Sequence, residues 1–419
     1  MDQGNTAFLL IMAALVLLMT PGLAFFYGGL VKAKSVISMM MMSFGAIGLI
    51  GVLWVLYGYA IAFPGAEGLV APWSIDWSAI GLTSLLETPE GAAYPPLAFV
   101  AFQATFAIIT VALISGAIAD RAKFGAWMVF AAIWATIVYF PVASWVFNFG
   151  VEDGSFTYGG WTTFGMQEAF GVGVIDFAGG TAVHINAGAA ALALALVLGK
   201  RVGFSKGAHV PHNPPFVLLG AGLLWFGWFG FNSGSELAAD GTAALAWVNT
   251  LAAPAAALLA WLLVEKIKDG KPTSVGAASG AVAGLVAITP ACASLTPGWA
   301  IVLGLVAGAV CALAIDLKFK FGFDDSLDVV GIHLVGGLIG TLYLGFFANG
   351  TGLIYSGDPT QLLVQAIAAF SVLIYSFVLA FIIGTLIQKT MGFRVTNEDE
   401  IAGVDTVVHG EDAYKLETV

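Results

Sequence analysis

The chain has 419 residues, 59% of them hydrophobic and only 10% charged, with a formal net charge of -11. Soluble domains carry roughly 25% charged residues, so this composition excludes a soluble protein and points to a bilayer as the solvent. The acidic balance also excludes nucleic acid as a partner, because neutralising phosphates needs a basic surface.

The first stretch, MDQGNTAFLLIMAALVLLMTPGLAFFYGGL, has no basic residue before its apolar run, only Asp2. A cleaved signal peptide begins with positive charge, so this stretch is expected to stay as the first helix. Crossing the hydrocarbon core takes about 20 apolar residues, and about eleven stretches qualify. They lie near 6–30, 36–62, 97–119, 124–147, 176–199, 214–235, 242–264, 273–291, 298–317, 328–349 and 362–388. The expected fold class is an all-α membrane protein. The buried-type Cys292 and Cys311 fit no CxxC pattern and are read as packing residues, with no disulfide, metal or cofactor expected.

The cations give the topology. Lys32 and Lys34 follow the first stretch, and Arg121 and Lys123 the third. Lys200, Arg201 and Lys206 follow the fifth, and Lys266, Lys268 and Lys271 the seventh. Lys318 and Lys320 follow the ninth, and Lys389, Arg394 and Lys415 the last. All 15 Lys and Arg therefore fall in alternate connections. Such residues are retained on the cytoplasmic side, which puts Met1 outside the cell and Val419 in the cytoplasm of a multi-pass plasma-membrane protein. The opposite connections carry Glu67, Asp76, Glu87 and Glu90, then Glu152, Asp153 and Glu168. They would mildly attract small cations, although topology alone also accounts for their lack of Lys and Arg. The polar tail 389–419 reads either as a regulatory docking segment or as a solvated end; at about 30 residues it is too short for a domain.

Of five histidines, His209, His212 and His409 fall in loops or the tail, while His184 and His333 fall inside apolar stretches. Ionisable groups at membrane depth default to a functional reading. His184 comes eight residues after Asp176 on a stretch running inward; His333 comes eight after Asp325 on a stretch running outward. At 1.5 Å per residue each ring lies roughly 12 Å from its own end, so the two approach one another near the middle of the membrane. Asp324 and Asp328 also lie nearby, so the matched spacing is partly a choice among three aspartates. Five stretches followed by five more run in opposite senses, as in an inverted repeat with its site at the repeat interface. The expected organisation is a membrane domain 1–388, with one repeat over 6–199, a second over 214–349 and a last helix at 362–388, followed by the cytoplasmic tail. Gly188 after the first histidine and Gly336, Gly337 and Gly340 after the second let helices approach closely.

Neutral imidazole both donates and accepts a hydrogen bond. A bare cation at that depth carries a large desolvation penalty, whereas a small neutral polar molecule, or an ion that sheds its charge on entry, does not. Trp225, Phe226, Trp228, Phe229 and Phe231 in the sixth stretch, and Phe102 and Phe106 flanking Gln103 in the third, could hold a cation or close a passage by bulk.

The segments DFAGGTAVHINAG, WFGFNSGS followed by ALAWVNT, FQATFAIITVALISGAIADR, GIHLVGG and the tail motif VDTVVHGEDAY resemble the ammonium transporter family (Amt/Rh) over essentially the whole chain. The resemblance implies an ammonium transporter or channel. His184 and His333 would be the twin histidines of a hydrophobic pore, with Trp228 lining it, and Phe106 and Phe231 would be the stacked gate. Phe102 and Ser235 would recruit ammonium at the outer rim, and Asp176 would be a structural carboxylate that orders the site. It further implies a homotrimer and a tail that docks PII-type regulators. The family often carries Trp in the vestibule where this chain has Phe147, a weaker cation–π partner; Trp161 in the long loop 148–175 is the candidate to compensate. Two other classes stay open. A fused signalling domain would favour a sensor, and mid-membrane carboxylates would favour a coupled transporter of another solute; the sequence offers neither. No nucleophile–base motif or phosphate loop suggests an enzyme.

Overall fold

The computed structural model describes residues 1–65, 68–152, 155–204 and 210–414. Glu67, Asp153, Lys206, His209 and Lys415 lie outside the described residues. Among the described residues ten helices are long and apolar enough to cross a membrane: α1 (Gln3–Leu30), α2 (Val36–Ala62), α3 (Pro96–Ile118), α4 (Phe124–Phe147), α5 (Gly180–Leu198), α6 (Pro214–Gly234), α7 (Gly241–Lys268), α9 (Pro297–Phe321), α10 (Val330–Phe347) and α11 (Thr360–Thr390). The eighth expected stretch forms a shorter apolar helix, α8 (Ser274–Ile288), buried along most of its length. The eleven stretches are thus met one for one, in a polytopic helical membrane protein.

Local chemistry sets where these helices begin. Asp2, Asn213, Asp240 and Thr273 cap α1, α6, α7 and α8 by accepting first-turn N–H groups, and Pro96, Pro214 and Pro297 occupy first turns that need no N–H donor. Inside the membrane, association relies on close packing rather than on hydrophobic exclusion. α1 and α6 meet backbone to backbone: a Cβ on Gly220 would lie 2.2 Å from the Phe26 nitrogen, and one on Gly22 would lie 3.0 Å from Leu223 Cβ.

One part departs from an all-helical reading. Loop segments build a three-stranded sheet ordered β1-β3-β2, from β1 (Gly68–Leu69), β2 (Phe149–Glu152) and β3 (Ser155–Gly159). This sheet folds the long loop 148–175 onto the bundle, where the sequence offers only short polar strands too weakly patterned to read.

The cation-bearing loops gather at one end. Arg201 bonds Asp324 at 2.8 Å and Asp120 at 2.9 Å, and both aspartates have no exposed side-chain surface. Lys318 bonds Asp328 at 2.6 Å. The tail is docked on this basic end rather than solvated. Val395 N–H donates to the Arg121 carbonyl, and Arg394 bonds Glu400 at 2.9 Å. Glu400 in turn accepts the Val202 N–H. Asp405 accepts the Ile37 and Ser38 N–H groups at 3.0 and 2.7 Å, capping α2 from the other end of the sequence. The opposite end joins the N-terminus and the cation-free loops, through Asp2 N–H to the Ala93 carbonyl, Ala239 N–H to Asn5 and Trp145 Nε1 to the Pro72 carbonyl.

Removing one partner of a buried ion pair leaves the other charge stranded, at about 3–5 kcal/mol. Arg201→Ala strands two, and is expected to lower the melting temperature of the detergent-solubilised protein more than Lys268→Ala, whose bridge to Asp316 is solvent-exposed. Equal melting of the two variants would refute the network's role.

Candidate functional site

α5 and α10 start in the same way. Asp176 accepts N–H groups from Gly179, Gly180, Thr181 and Ala182 and the Thr181 hydroxyl, collecting the orphan donors of the first turn of α5. Gly179, at φ +115°, is the left-handed residue that bends the chain back over that carboxylate. Across the bundle Asp325 accepts the Val330 N–H at 2.7 Å, at the start of α10. The neighbouring aspartates are committed elsewhere, Asp324 to Arg201 and Asp328 to Lys318. Asp325 is therefore the counterpart of Asp176. The first turns that follow, Gly180–Ile185 and Val330–Leu334, are both π-helical, a wide turn that recurs at functional sites. Each contains one histidine.

The two rings meet. His184 Nδ1 and His333 Nδ1 are 3.3 Å apart, with ring centroids at 5.3 Å and planes 24° apart. Small residues permit the approach. A Cβ on Gly188 would lie 2.5 Å from the Leu334 nitrogen, and one on Gly337 would lie 3.2 Å from His184 Cβ. His184 is 1% and His333 3% exposed, and His184 Nε2 has no hydrogen-bond partner. Trp228 lies over His184 with centroids at 5.5 Å. Its Nε1–H is spent on the Thr289 hydroxyl at 2.8 Å, so it presents a face rather than a donor.

Above the histidines the aromatic rings form a column. Phe231 is 6.1 Å from His184 and stacks on Phe106 at 4.1 Å, with planes 21° apart. Phe106 touches Phe102 at 4.9 Å and Phe147 at 6.1 Å. Ser235, half-buried one turn past Phe231, donates its hydroxyl to the Phe231 carbonyl at 2.8 Å, which leaves its oxygen lone pairs to accept. Phe102 is fully buried, in contact with Phe106 and against Gly234. Trp161 packs on Trp145 at 5.8 Å and makes no ring contact with Phe147 or Phe106; it does not replace a vestibule tryptophan. Thr289 is the functional neighbour that sequence reasoning missed, since nothing in a lone Thr 61 residues from Trp228 signals the pairing.

Phe231 and both histidines border a cavity of about 10 Å³, room for about one water-sized molecule. His184 and His333 supply its polar edges, and the rest of its wall is apolar, including Leu23, Phe26 and Val282. At the basic end a larger cavity of about 490 Å³ opens beside Leu30, Val275 and Asp328. Leu23, Phe26 and Leu30 share one face of α1, and Val282 and Val275 one face of α8.

Fold and site together define a multi-pass membrane protein with a narrow apolar interior interrupted by paired imidazoles. A profile of the Ammonium Transporter Family matches residues 7–414. An ammonium transporter of Mycobacterium tuberculosis (strain ATCC 25618 / H37Rv) is 53% identical over 99% of this chain and 90% of its own length. One from Bacillus subtilis (strain 168) is 42% identical over 99% of both. Among solved structures, a sensor Amt protein superposes with a TM-score of 0.87 at 28% identity, covering 97% of this chain and 98% of that one. Mep2 of Saccharomyces cerevisiae superposes at 0.83 and 30% identity, covering 100% and 92%. The chain belongs to the ammonium transporter family, whose members are transporters and not enzymes.

The imidazole contact is sensitive to volume at Gly188. Gly188→Val forces the α5 and α10 backbones apart and is expected to destabilise by about 1–3 kcal/mol, as overpacking does. Gly48, exposed and with no atom within 4 Å of a built Cβ, is the control. Wild-type melting of the Gly188 variant would contradict the tight interface.

Proposed function

We propose that ammonium is recruited at the cation-free end, loses its proton above the Phe106–Phe231 stack, and crosses as ammonia past His184 and His333 to the basic end. The observation that carries this reading is the imidazole pair at 3.3 Å, buried under stacked rings beside a cavity for one small molecule. A ring stack at 4.1 Å leaves no room for a hydrated ion, and an unhydrated charge in an apolar cavity carries a large solvation penalty. Ammonia, neutral and with both donors and an acceptor, does not.

The pair is matched to such a solute. With one proton between the facing Nδ1 atoms, one ring uses its Nδ1–H as donor and leaves its Nε2 as acceptor. The other accepts at Nδ1 and carries its proton on Nε2. Either tautomer therefore offers one acceptor and one donor along the path. At the rim, Phe147 and Phe106 would hold the cation by their faces, with the Ser235 oxygen accepting an N–H. Trp228 would line the passage, and Phe102 and Asp176 would keep the gate and the π-helical turn in place. The same reading sets Met1 outside and the docked tail in the cytoplasm, where a PII-type regulator would find it, and makes the assembly a homotrimer. It divides the membrane domain, 1–388, into an inverted pair of repeats, a division supported by the matching Asp176–His184 and Asp325–His333 starts.

Losing one hydrogen-bond partner for a buried polar solute costs roughly 1–3 kcal/mol, about 5- to 150-fold in rate. His184→Ala and His333→Ala are expected to change ammonium-evoked conduction or its selectivity by that order while the protein still folds. Currents on solid-supported membranes after an ammonium jump read this directly. Wild-type rates and selectivity in both variants would sink the reading.

A further inference from the structure

The proposed rim has a neighbour that no role yet uses. Glu236 follows Ser235 at the end of α6, where the chain leaves the helix in a tight turn, with Glu236 N–H bonded to the Ser233 carbonyl and Leu237 N–H to the Gly234 carbonyl at 2.9 Å. The aromatic floor packs on the same turn, with the Phe102 ring 2.7 Å from where a Cβ on Gly234 would stand. The Glu236 side chain is half-buried. Among the described residues no Lys or Arg lies within 4 Å of it. Every Lys and Arg of the chain belongs to the alternate connections or the tail. It faces the Asp240 carboxyl, which caps α7 and shares a hydrogen bond with Glu236 when the pair holds a proton, and the negative end of the α6 dipole; once that proton leaves, the two carboxylates repel. The Cys292 thiol, within electrostatic reach below, is not a cation. A half-buried carboxylate with like charges around it and no counter-ion of its own is short of a cation.

We infer that Glu236 is a substrate-binding residue of the outer rim, supplying the counter-charge that draws ammonium onto Ser235 and the aromatic floor. This rests on the rim reading above and adds a charged ligand to a set otherwise made of rings and one hydroxyl. Burial, then the neighbouring Asp240, push the Glu236 carboxyl up to about 7. Below that value the group is protonated and neutral, and above it the carboxylate attracts. Apparent affinity for ammonium should therefore improve from pH 6 to pH 8, a range in which the ammonium concentration itself hardly changes.

The test uses the full chain in liposomes, with ammonium-jump currents recorded as a concentration series at pH 6 and pH 8. Glu236→Gln keeps shape and removes charge. It is expected to raise the half-saturating concentration at pH 8 by about three- to fivefold, the range of a partly exposed ion pair, to leave the maximal current unchanged, and to abolish the pH dependence. Asp240→Asn keeps the α7 cap and removes the like charge, so its affinity at pH 6 should approach the wild-type value at pH 8. An unchanged half-saturating concentration in Glu236→Gln, with normal currents, overturns the assignment while leaving the pore reading intact. A lowered maximal current at unchanged half-saturation also overturns it, because a structural role would do that. Wild-type behaviour of the histidine variants, or no ammonium-evoked current at all, overturns the pore reading and this inference together.

Discussion

Two buried imidazoles 3.3 Å apart constrain almost everything around them. Each ring alone in an apolar bundle would leave polar atoms unsatisfied, a penalty that rises as the surroundings dry. Together they satisfy one another at Nδ1, but only if α5 and α10 approach within backbone contact. That demands Gly188 and Gly337 at the crossing. It also buries the starts of both helices, Asp176 at 8% and Asp325 at 1% exposure, which strands their first N–H groups where little water can reach them. Asp176 and Asp325 accept those groups. Glycines, aspartates and π-helical turns are thus consequences of a single contact.

Much of this was legible in the sequence, for a physical reason. A bilayer has two sides that treat Lys and Arg differently, so alternation of cations gives an expected sense for every helix. With that sense known, the eight-residue spacing placed His184 and His333 at like depth. What stayed illegible depends on geometry that no periodicity encodes. Spacing could not choose among Asp324, Asp325 and Asp328, because all three lie within one turn. The structure separates them by partner, Arg201, the Val330 N–H and Lys318. Thr289 was invisible because a hydroxyl across the bundle leaves no local mark. Trp161 was read by residue type as a vestibule group, but the sheet around it turns it onto Trp145.

The two ends of the bundle are built on different principles. At the basic end, buried ion pairs tie successive loops to one another, and the tail joins them through Glu400 and Asp405. A segment far along the chain thereby caps α2 and holds the loop after α5. At the opposite end aromatic rings and backbone hydrogen bonds predominate. A charge arriving there meets carboxylates and ring faces without a competing Lys or Arg.

That asymmetry bears on the substitution of Phe147 for tryptophan. A phenyl ring holds a cation less strongly than an indole, and Trp161 does not reach the rim. If rings alone gathered ammonium, this chain would be a weaker collector than relatives with the tryptophan. On the proposed reading, a group near the Ser235 turn, where Phe106 and Phe231 stack, would supply the missing attraction. Glu236 is the charged side chain next to that turn in sequence, and it lacks a cation of its own. A carboxylate whose ionisation is poised near neutrality also has an advantage that a ring lacks. It can hold the ion at the surface and weaken that hold when protonated, so that strong capture need not become a trap above the gate.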